Sequence, residues 1–199
     1  MTSFTRPVIV GISGASGSVL ARETVDELLR REQPVALVCT NDARLVWQEE
    51  MDEPFSECLS RWREHPQFTH YPIGDMRAPI ASGTYPVRSM VVVPCSMASA
   101  AAMAHGLANN LLLRAADVCL KERRRLVVVP RETPLHAGHL ENLLALARLG
   151  AVVLPPEPAF YLKPASVQDV VRFVAARVLV ALGIDEALEE RFRYSGPGE

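Results

Sequence analysis

Short apolar runs and longer segments with helical periodicity alternate along most of this sequence. Runs rich in valine, isoleucine and leucine are typical of buried strands, and they occur at 8–12, 34–40, 90–94, 126–130 and 151–154. The segments between them repeat apolar residues every three or four positions, as after the first run at Val19, Leu20, Val25, Leu28 and Leu29. This alternation predicts an α/β fold, a doubly wound, flavodoxin/Rossmann-like open parallel sheet with right-handed crossovers.

The same periodicity predicts the later helices and the extent of the domain. Helices are expected at 41–50, 100–106, 110–122, 141–149 and 167–182, whereas 53–71 has no clear period and is expected to be a solvated, partly helical excursion. No break in composition marks a second domain, so residues 1–184 are predicted to form a single domain. Residues 185–199 are predicted to be a polar C-terminal tail.

Composition and charge narrow the class of protein. The chain has 199 residues, of which 49% are hydrophobic and 22% charged, as in ordinary soluble globular proteins. Its net charge of −2 gives no reason to expect a nucleic acid or an anionic membrane as partner. Neither a secretory leader nor an apolar run long enough to span a bilayer is visible, so a cytoplasmic protein is expected.

The cysteines and histidines give little sign of a metal site. The four cysteines are scattered, and three of them lie in apolar runs, which favours buried reduced thiols over disulfides or zinc ligands. His136 and His139 have a spacing that would place both on one helix face, but no third ligand is close in the sequence. No metal is therefore expected.

Two of the predicted strands run into turns rich in glycine and hydroxyl groups. The first strand continues into GISGASG with Ser16 near its end, and the strand at 90–94 continues into CSMAS. When such a turn joins a strand to a helix, its backbone N–H groups and the helix N-terminus point toward a site that suits a phosphate. Two ordinary N-capped turns without a ligand are the alternative interpretation. The first turn is not the GxGxxG fingerprint, which counts against NAD.

The stretch from 109 to 142 carries the densest set of candidate chemical groups. Arg131 and Glu132 directly follow the strand at 126–130, and ligands of parallel sheets bind at the carboxyl ends of strands. Several cations and one phenol suit a substrate that bears phosphate, namely Arg114, Lys121, Arg131, Arg177 and Tyr161. Glu132 could move a proton beside Arg131.

Four segments together resemble the UbiX-type flavin prenyltransferases, many of which were formerly labelled aromatic-acid decarboxylases. They are GISGASG, PCSMAS, the long block with RAADVCLKERR, RETP, HLEN and PAFY, and the closing VVRFVAARVLVALGI. The similarity extends from about Val8 to Ile184. It implies a flavodoxin-like fold, trimers that build dodecamers, and metal-independent transfer of a dimethylallyl group from its phosphate or diphosphate to N5 and C6 of reduced FMN. It also implies that the prenylated FMN is delivered to a UbiD-type decarboxylase.

The resemblance implies roles for individual residues of this chain. Contacts to FMN are implied for Gly14, Ala15, Ser16, Thr40, Ser96, Met97, Ala98, Ser99 and Arg131. Binding of the prenyl phosphate is implied for Arg114, Lys121, Tyr161 and Arg177. Whether Lys121 acts in its own chain or across a subunit boundary is left open by the sequence. Catalytic roles are implied for Glu132 and Glu50 as acid–base carboxylates, and for Ser16. The chain departs from the family pattern at Leu20, Asn109 and Ser99, none of which removes a group assigned to chemistry.

Two other functions fit parts of the sequence. A non-catalytic subunit that carries FMN to a partner would keep the flavin turns but could lose the prenyl-phosphate residues, which are all present. A flavin-dependent cysteine decarboxylase of related fold would need a histidine just after the first strand–helix unit, and the chain has none before His65. The sequence leaves open whether the donor is the monophosphate or the diphosphate.

Overall fold

The computed structural model describes residues 6–194 and Gly196. Among these residues six strands alternate with seven helices. The strands are β1 (Val8–Ile12), β2 (Val35–Cys39), β3 (Phe68–Tyr71), β4 (Ser89–Cys95), β5 (Arg125–Pro130) and β6 (Val152–Val153). The helices are α1 (Ser18–Arg30), α2 (Asn41–Glu50), α3 (Phe55–Arg63), α4 (Met97–Ala104), α5 (Leu111–Lys121), α6 (Ala137–Arg148) and α7 (Val167–Leu182). Short 3-10 turns lie at Pro79–Ala81, Phe160–Leu162 and Glu190–Phe192.

The strands form one parallel sheet in the order β3-β2-β1-β4-β5-β6. The predicted doubly wound, flavodoxin/Rossmann-like sheet is confirmed, and this strand order is the one typical of Rossmann folds. The chain winds outward to β3 and then returns to place β4 on the other side of β1. The topological switch point therefore lies between β1 and β4, where a ligand crevice is expected at the carboxyl ends.

Helices cover both faces of the sheet, and this explains the continuous apolar character of its central strands. Alternate residues of each strand point to opposite faces, so that Val8 and Val10 join one core and Ile9 joins the other. The first core is closed by α1, α2, α3 and α7, and it includes the edge-on ring pair Trp47–Trp62 at 6.1 Å. The second core is closed by α4, α5 and α6.

Most predicted elements agree with the structure, and the differences have local causes. The helices at 41–50 and 167–182 have the predicted bounds. The strand predicted at 151–154 is shorter, since only Val152–Val153 pairs with β5. The helices predicted at 100–106 and 141–149 begin three and four residues earlier, because Ser96 and His136 act as their N-caps.

One strand was not predicted. Phe68–Tyr71 forms the edge strand β3, within the segment expected to be irregular and partly helical. The helical part of that expectation is α3. An edge strand of four residues with only Phe68 buried lacks the apolar pattern by which the central strands are recognised.

The four cysteines are free and buried, as predicted. Burial raises the pKa of the Cys39, Cys58, Cys95 and Cys119 thiols to about 12. No helix in the described part of the chain is long and apolar enough to cross a membrane. Residues 6–194 and Gly196 also contain no group of three or more metal-ligating side chains.

The segment after α7 packs against the domain. Asp185 forms an ion pair with Arg31 of α1, with 3.0 Å between Nη2 and Oδ2, and Phe192 is buried beside Phe173 of α7. The boundary at 184 stays a prediction, although residues up to 192 contribute contacts to the fold. Residues 195 and 197–199 of the predicted tail lie outside the described residues.

Candidate active site

Backbone hydrogen bonds hold the ends of neighbouring strands in line at the carboxyl edge of the sheet. The amide of Thr40, after β2, donates to the carbonyl of Ile12 at 3.0 Å. The amide of Arg131, after β5, donates to the carbonyl of Cys95 at 3.1 Å. Residues that are far apart in the sequence are thereby placed along one crevice, as the parallel-sheet prediction required.

Ser13 joins the two turns that flank the switch point. Its side chain is buried, and its Oγ donates to the carbonyl of Pro94 at 3.0 Å and accepts from the amide of Ser96 at 2.8 Å. Ser13 was not predicted as a site residue, whereas the more exposed Ser16 was. A hydroxyl directly after an apolar strand was the signal that could have identified it.

A cleft of about 350 Å³ lies at this edge, and five of the predicted FMN contacts line it. Those five are Gly14, Thr40, Ser96, Ala98 and Ser99, and the cleft is completed by Asn41, Asp42, Ile73, Ala102, Asn110 and Leu113. Gly14 is needed here because a Cβ atom at this position would lie 2.5 Å from the Cβ of Asp42. The predicted contacts Ala15 and Met97 have buried side chains, so they could reach a ligand only through their backbone.

Three helices begin at this cleft. Thr40, Ser96 and Asn110 are the N-caps of α2, α4 and α5, and their side chains accept from the helix amides of Ala43, Ser99 and Leu113 at 3.1, 3.2 and 3.0 Å. Amides of a first helical turn carry partial positive charge and favour an anion. Among the residues that the structure describes, no lysine or arginine lines the cleft, and Asp42 is its one carboxylate. This donor set suits a phosphate held by N–H and hydroxyl groups, and the residues present therefore fit the phosphate end of FMN.

A carboxylate of the protein itself lies at the N-terminus of α1. Both oxygens of Glu50 accept from the amide of Gly17, at 3.1 and 2.9 Å, and Oε2 also accepts from the amide of Ser18 at 2.8 Å. Desolvation raises the pKa of Glu50, but hydrogen bonds from Ser16, Ser18 and Gly17 outweigh it and hold the pKa below the ordinary value of 4.5. A phosphate was predicted at this turn, whereas in the structure the ionised Glu50 of α2 binds the end of the turn that begins α1.

Arg131 and Glu132 lie where the predicted strand end placed them. The Nε of half-buried Arg131 donates to the carbonyl of Ser16 at 3.4 Å, which links the end of β5 to the first turn. Glu132 is exposed, and its Oε1 accepts from the amide of Thr133 at 3.0 Å. Both residues line a second cleft of about 340 Å³, together with Pro130, Thr133, Leu135, Leu143, Pro155, Pro156 and Glu157.

Arg114 and Lys121 occupy the same helix but are well separated. Arg114 donates through Nε to the carbonyl of Ala81 at 3.0 Å and pairs with Asp117 at 2.7 Å. Lys121 is exposed at the last turn of α5, where it pairs with Glu122. With a rise of about 1.5 Å per residue, the two positions are roughly 10 Å apart along the axis, and α5 runs away from the cleft at its N-terminus.

Tyr161 and Arg177 complete the set assigned to the prenyl phosphate. Tyr161 is half exposed in the 3-10 turn Phe160–Leu162, and Arg177 is exposed on α7. The four residues are carried by three separate elements, namely α5, the 3-10 turn Phe160–Leu162 and α7. The chain brings the two flavin turns together at one cleft, whereas Arg114 and Lys121 are separated along α5.

Comparison with known proteins decides the family. A family model described as Flavoprotein matches residues 2–179. The flavin prenyltransferase UbiX of Methanocaldococcus jannaschii is 43% identical over 185 residues, which cover 93% of this chain and 97% of that protein. The chain belongs to the UbiX-type flavin prenyltransferases. The resemblance recognised in the sequence is confirmed.

Two solved structures of UbiX-type proteins have the same fold as this chain over nearly its whole length. A crystal structure of AnUbiX (PadA1) in complex with FMN and dimethylallyl pyrophosphate has a TM-score of 0.88 at 37% identity, and it covers 98% of this chain and 99% of that one. A dodecameric FMN-dependent UbiX-like decarboxylase from Escherichia coli O157:H7 has a TM-score of 0.86 at 38% identity. That comparison covers 96% of this chain and 100% of the other.

Proposed function

We propose that this protein joins a dimethylallyl group from dimethylallyl phosphate to N5 and C6 of reduced FMN, which is consumed as a co-substrate. The observation that carries the proposal is the cleft at the switch point, where α2, α4 and α5 begin. Arg131 and Glu132 line a second cleft at the end of the neighbouring strand β5. The 43% identity to a flavin prenyltransferase and the likeness to a structure containing FMN and dimethylallyl pyrophosphate support it.

The FMN phosphate would be held in the cleft of about 350 Å³ by the hydroxyls of Thr40, Ser96 and Ser99 and by first-turn amides. Arg131 and the backbone of the first turn would hold the flavin end, because Arg131 is hydrogen-bonded to the carbonyl of Ser16. When bound, reduced FMN supplies the nucleophilic atoms N5 and C6.

The carboxylates have different environments, which suggests different roles. Glu132 is exposed at the end of β5, and within the described part of the chain its one hydrogen bond comes from Thr133. It is therefore free to accept a proton and return it during ring closure. Glu50 binds the amides of Gly17 and Ser18 and is ionised at neutral pH. We infer that Glu50 fixes the turn and supplies negative charge beside Ser16, whereas Glu132 moves the proton.

Departure of phosphate requires cations that take up its charge as the bond between the prenyl carbon and the phosphate oxygen breaks. Arg114, Lys121, Arg177 and the Tyr161 hydroxyl suit this role. Because α5 carries Lys121 away from the cleft, we propose that Lys121 serves the site of a neighbouring subunit.

An assembly of subunits is supported by the surface of α6. This helix buries only Leu146, while Leu140 and Leu144 are 54% and 50% exposed on the isolated chain. Exposed apolar side chains concentrated on one helix are typical of an interface. We propose a homo-oligomer, trimers forming a dodecamer, in keeping with the dodecameric relative from Escherichia coli.

The location and downstream partner of the enzyme are also proposals. Four free, buried cysteines suit a reducing compartment, which supports action in the cytoplasm. We propose that the prenylated flavin passes to a UbiD-type decarboxylase.

The test is anaerobic incubation of the purified protein with reduced FMN and, in parallel, dimethylallyl phosphate or diphosphate. Mass spectrometry of the released flavin should detect a gain of one C5H8 unit, and the faster donor identifies the natural phosphorylation state. FMN that is bound but unmodified with both donors would refute the transferase and favour a non-catalytic flavin carrier. Oxidative decarboxylation of a cysteine-containing peptide instead would favour the cysteine decarboxylase.

Substitution of Glu132 tests its assigned role. Glu132→Gln should lower kcat by about 10²-fold, a typical contribution of a general acid–base group, while FMN affinity stays unchanged. Glu64→Gln is the matched control, because this exposed glutamate follows α3 and precedes the amino end of β3, whereas the candidate site lies at the carboxyl ends of the strands. Equal kcat values for the two variants would contradict the role of Glu132.

A further inference from the structure

Residues 183–194, here called the C-terminal strap, turn back from α7 onto the domain. Gly183 makes the turn with a φ of +72°, and its carbonyl accepts from Arg88 Nη2 at 2.6 Å. A Cβ atom at Gly183 would collide with the guanidinium of Arg125. The left-handed backbone favours glycine here, whereas the Arg125 guanidinium ends a flexible side chain that can move aside.

The first part of the strap is anchored to α1 by charge. Arg31 is bidentate to Asp185, with Nε to Oδ1 at 3.1 Å and Nη2 to Oδ2 at 3.0 Å, and the same Nη2 lies 3.8 Å from Glu189. Arg31 is also paired with Glu27 of its own helix. A bidentate guanidinium with several acceptors is held in one orientation, which fixes the start of the strap.

The second part is anchored to α7 by packing. Phe192 is only 8% exposed, and its ring meets Phe173 edge-on at a centroid distance of 5.9 Å. The guanidinium of Arg191 lies over the ring of Phe192, 4.5 Å from the ring centroid. With both anchors in place, the strap delivers Tyr194 two residues later to a defined position.

That position is against Tyr161. The two rings are edge-on, with centroids 5.5 Å apart and planes at 80°. The 3-10 turn that carries Tyr161 has no buried residue, and Tyr161 is 52% exposed. Among the described residues, Tyr194 provides the one ring contact that limits the orientation of the Tyr161 side chain.

We propose that Tyr194 is a positioning residue for the prenyl-transfer reaction, which it serves by holding the Tyr161 phenol ready for the donor phosphate. This inference rests on the proposed function, in which Tyr161 binds that phosphate. Tyr194 itself touches no reacting atom in this scheme. Its effect comes from restricting a side chain that would otherwise sample several rotamers before the donor binds.

The kinetic test uses full-length Tyr194→Ala and Tyr194→Phe enzymes. Loss of the edge contact should raise KM for dimethylallyl phosphate about three- to tenfold, with kcat within about twofold of wild type and FMN affinity unchanged. Phenylalanine keeps the ring and should restore KM. In a Tyr161→Ala background, Tyr194→Ala should have no further effect, because the residue that it positions is gone. An unchanged KM, or an equal effect in both backgrounds, overturns the proposal.

A second measurement separates this proposal from the proposed function. Biosynthetic 3-fluorotyrosine labels the four tyrosines, and the ¹⁹F resonance of Tyr161 can be assigned with Tyr161→Phe. Tyr194→Ala should shift that resonance without moving those of Tyr71 and Tyr85. A shift in a protein that transfers no prenyl group supports the ring contact and refutes only the proposed function. An unshifted resonance overturns the inference even if the enzyme is active.

Discussion

Removal of the Ser13 hydroxyl should weaken both the fold and the flavin cleft. In Ser13→Ala two buried hydrogen bonds are lost, the one to the carbonyl of Pro94 and the one from the amide of Ser96. The Pro94 carbonyl keeps its bond from the Ser13 amide at 3.2 Å, so only the Ser96 amide is left without that partner. At about 1 kcal/mol for each hydrogen bond, the free energy of unfolding should fall by about 2 kcal/mol.

Thermal unfolding measures this loss. For a chain of 199 residues, about 2 kcal/mol corresponds to a fall in Tm of roughly 4–8 °C. Because Ser96 also caps α4 at the cleft, the Kd for FMN, measured by quenching of flavin fluorescence, should rise about three- to tenfold. All samples need one protein concentration, since assembly would otherwise alter the apparent stability.

Ser60→Ala is the matched control. Ser60 also donates its hydroxyl to a carbonyl, that of Ser56 at 2.8 Å, but it is exposed on α3 and far from the cleft. Its removal should change Tm by no more than about 1 °C, because water replaces an exposed hydrogen bond. The proposed role of Ser13 is refuted if both variants unfold at the wild-type temperature, or if Ser13→Ala loses stability with no change in FMN affinity.

Two further predictions concern charge and assembly. Glu50→Gln should lower the free energy of unfolding by about 1 kcal/mol at pH 7, because the charged cap of α1 is lost, whereas exposed Glu49→Gln should not. The pKa of Glu50 is depressed in the folded state, so the stability that Glu50 contributes is fully present above the ordinary pKa of 4.5 and is lost as pH falls through the folded pKa. A difference in unfolding free energy between wild type and Glu50→Gln that did not change with pH would contradict this. Mixed oligomers of Lys121→Ala and Glu132→Gln chains should regain up to about a quarter of wild-type activity if sites are shared between subunits, and none if each chain is self-sufficient.

The sequence by itself determined the central strands of the sheet and the helices whose ends are marked by capping residues. Strands β1, β2, β4 and β5 are buried on both faces, so each is a continuous apolar run that cannot be placed elsewhere without exposing it to water. The bounds of α2 and α7 follow from local chemistry, since Thr40 caps the first, and Ser166 and Gly183 bound the second. The carboxyl-edge position of Arg131 and Glu132 follows from the parallel arrangement.

The tertiary structure decided the contacts between groups that are distant along the chain. Ser13 meets Ser96 across 83 residues, and Glu50 reaches the amide of Gly17 across 33. Neither contact can be read from a local sequence pattern, because each depends on how the crossover connections place the ends of neighbouring strands. The edge strand β3 was also decided by its neighbour, since its four residues carry no apolar signature and are held by pairing with β2. Local sequence sets the ends and faces of each element, whereas hydrogen-bond partners at the site are set only when the sheet brings those ends together.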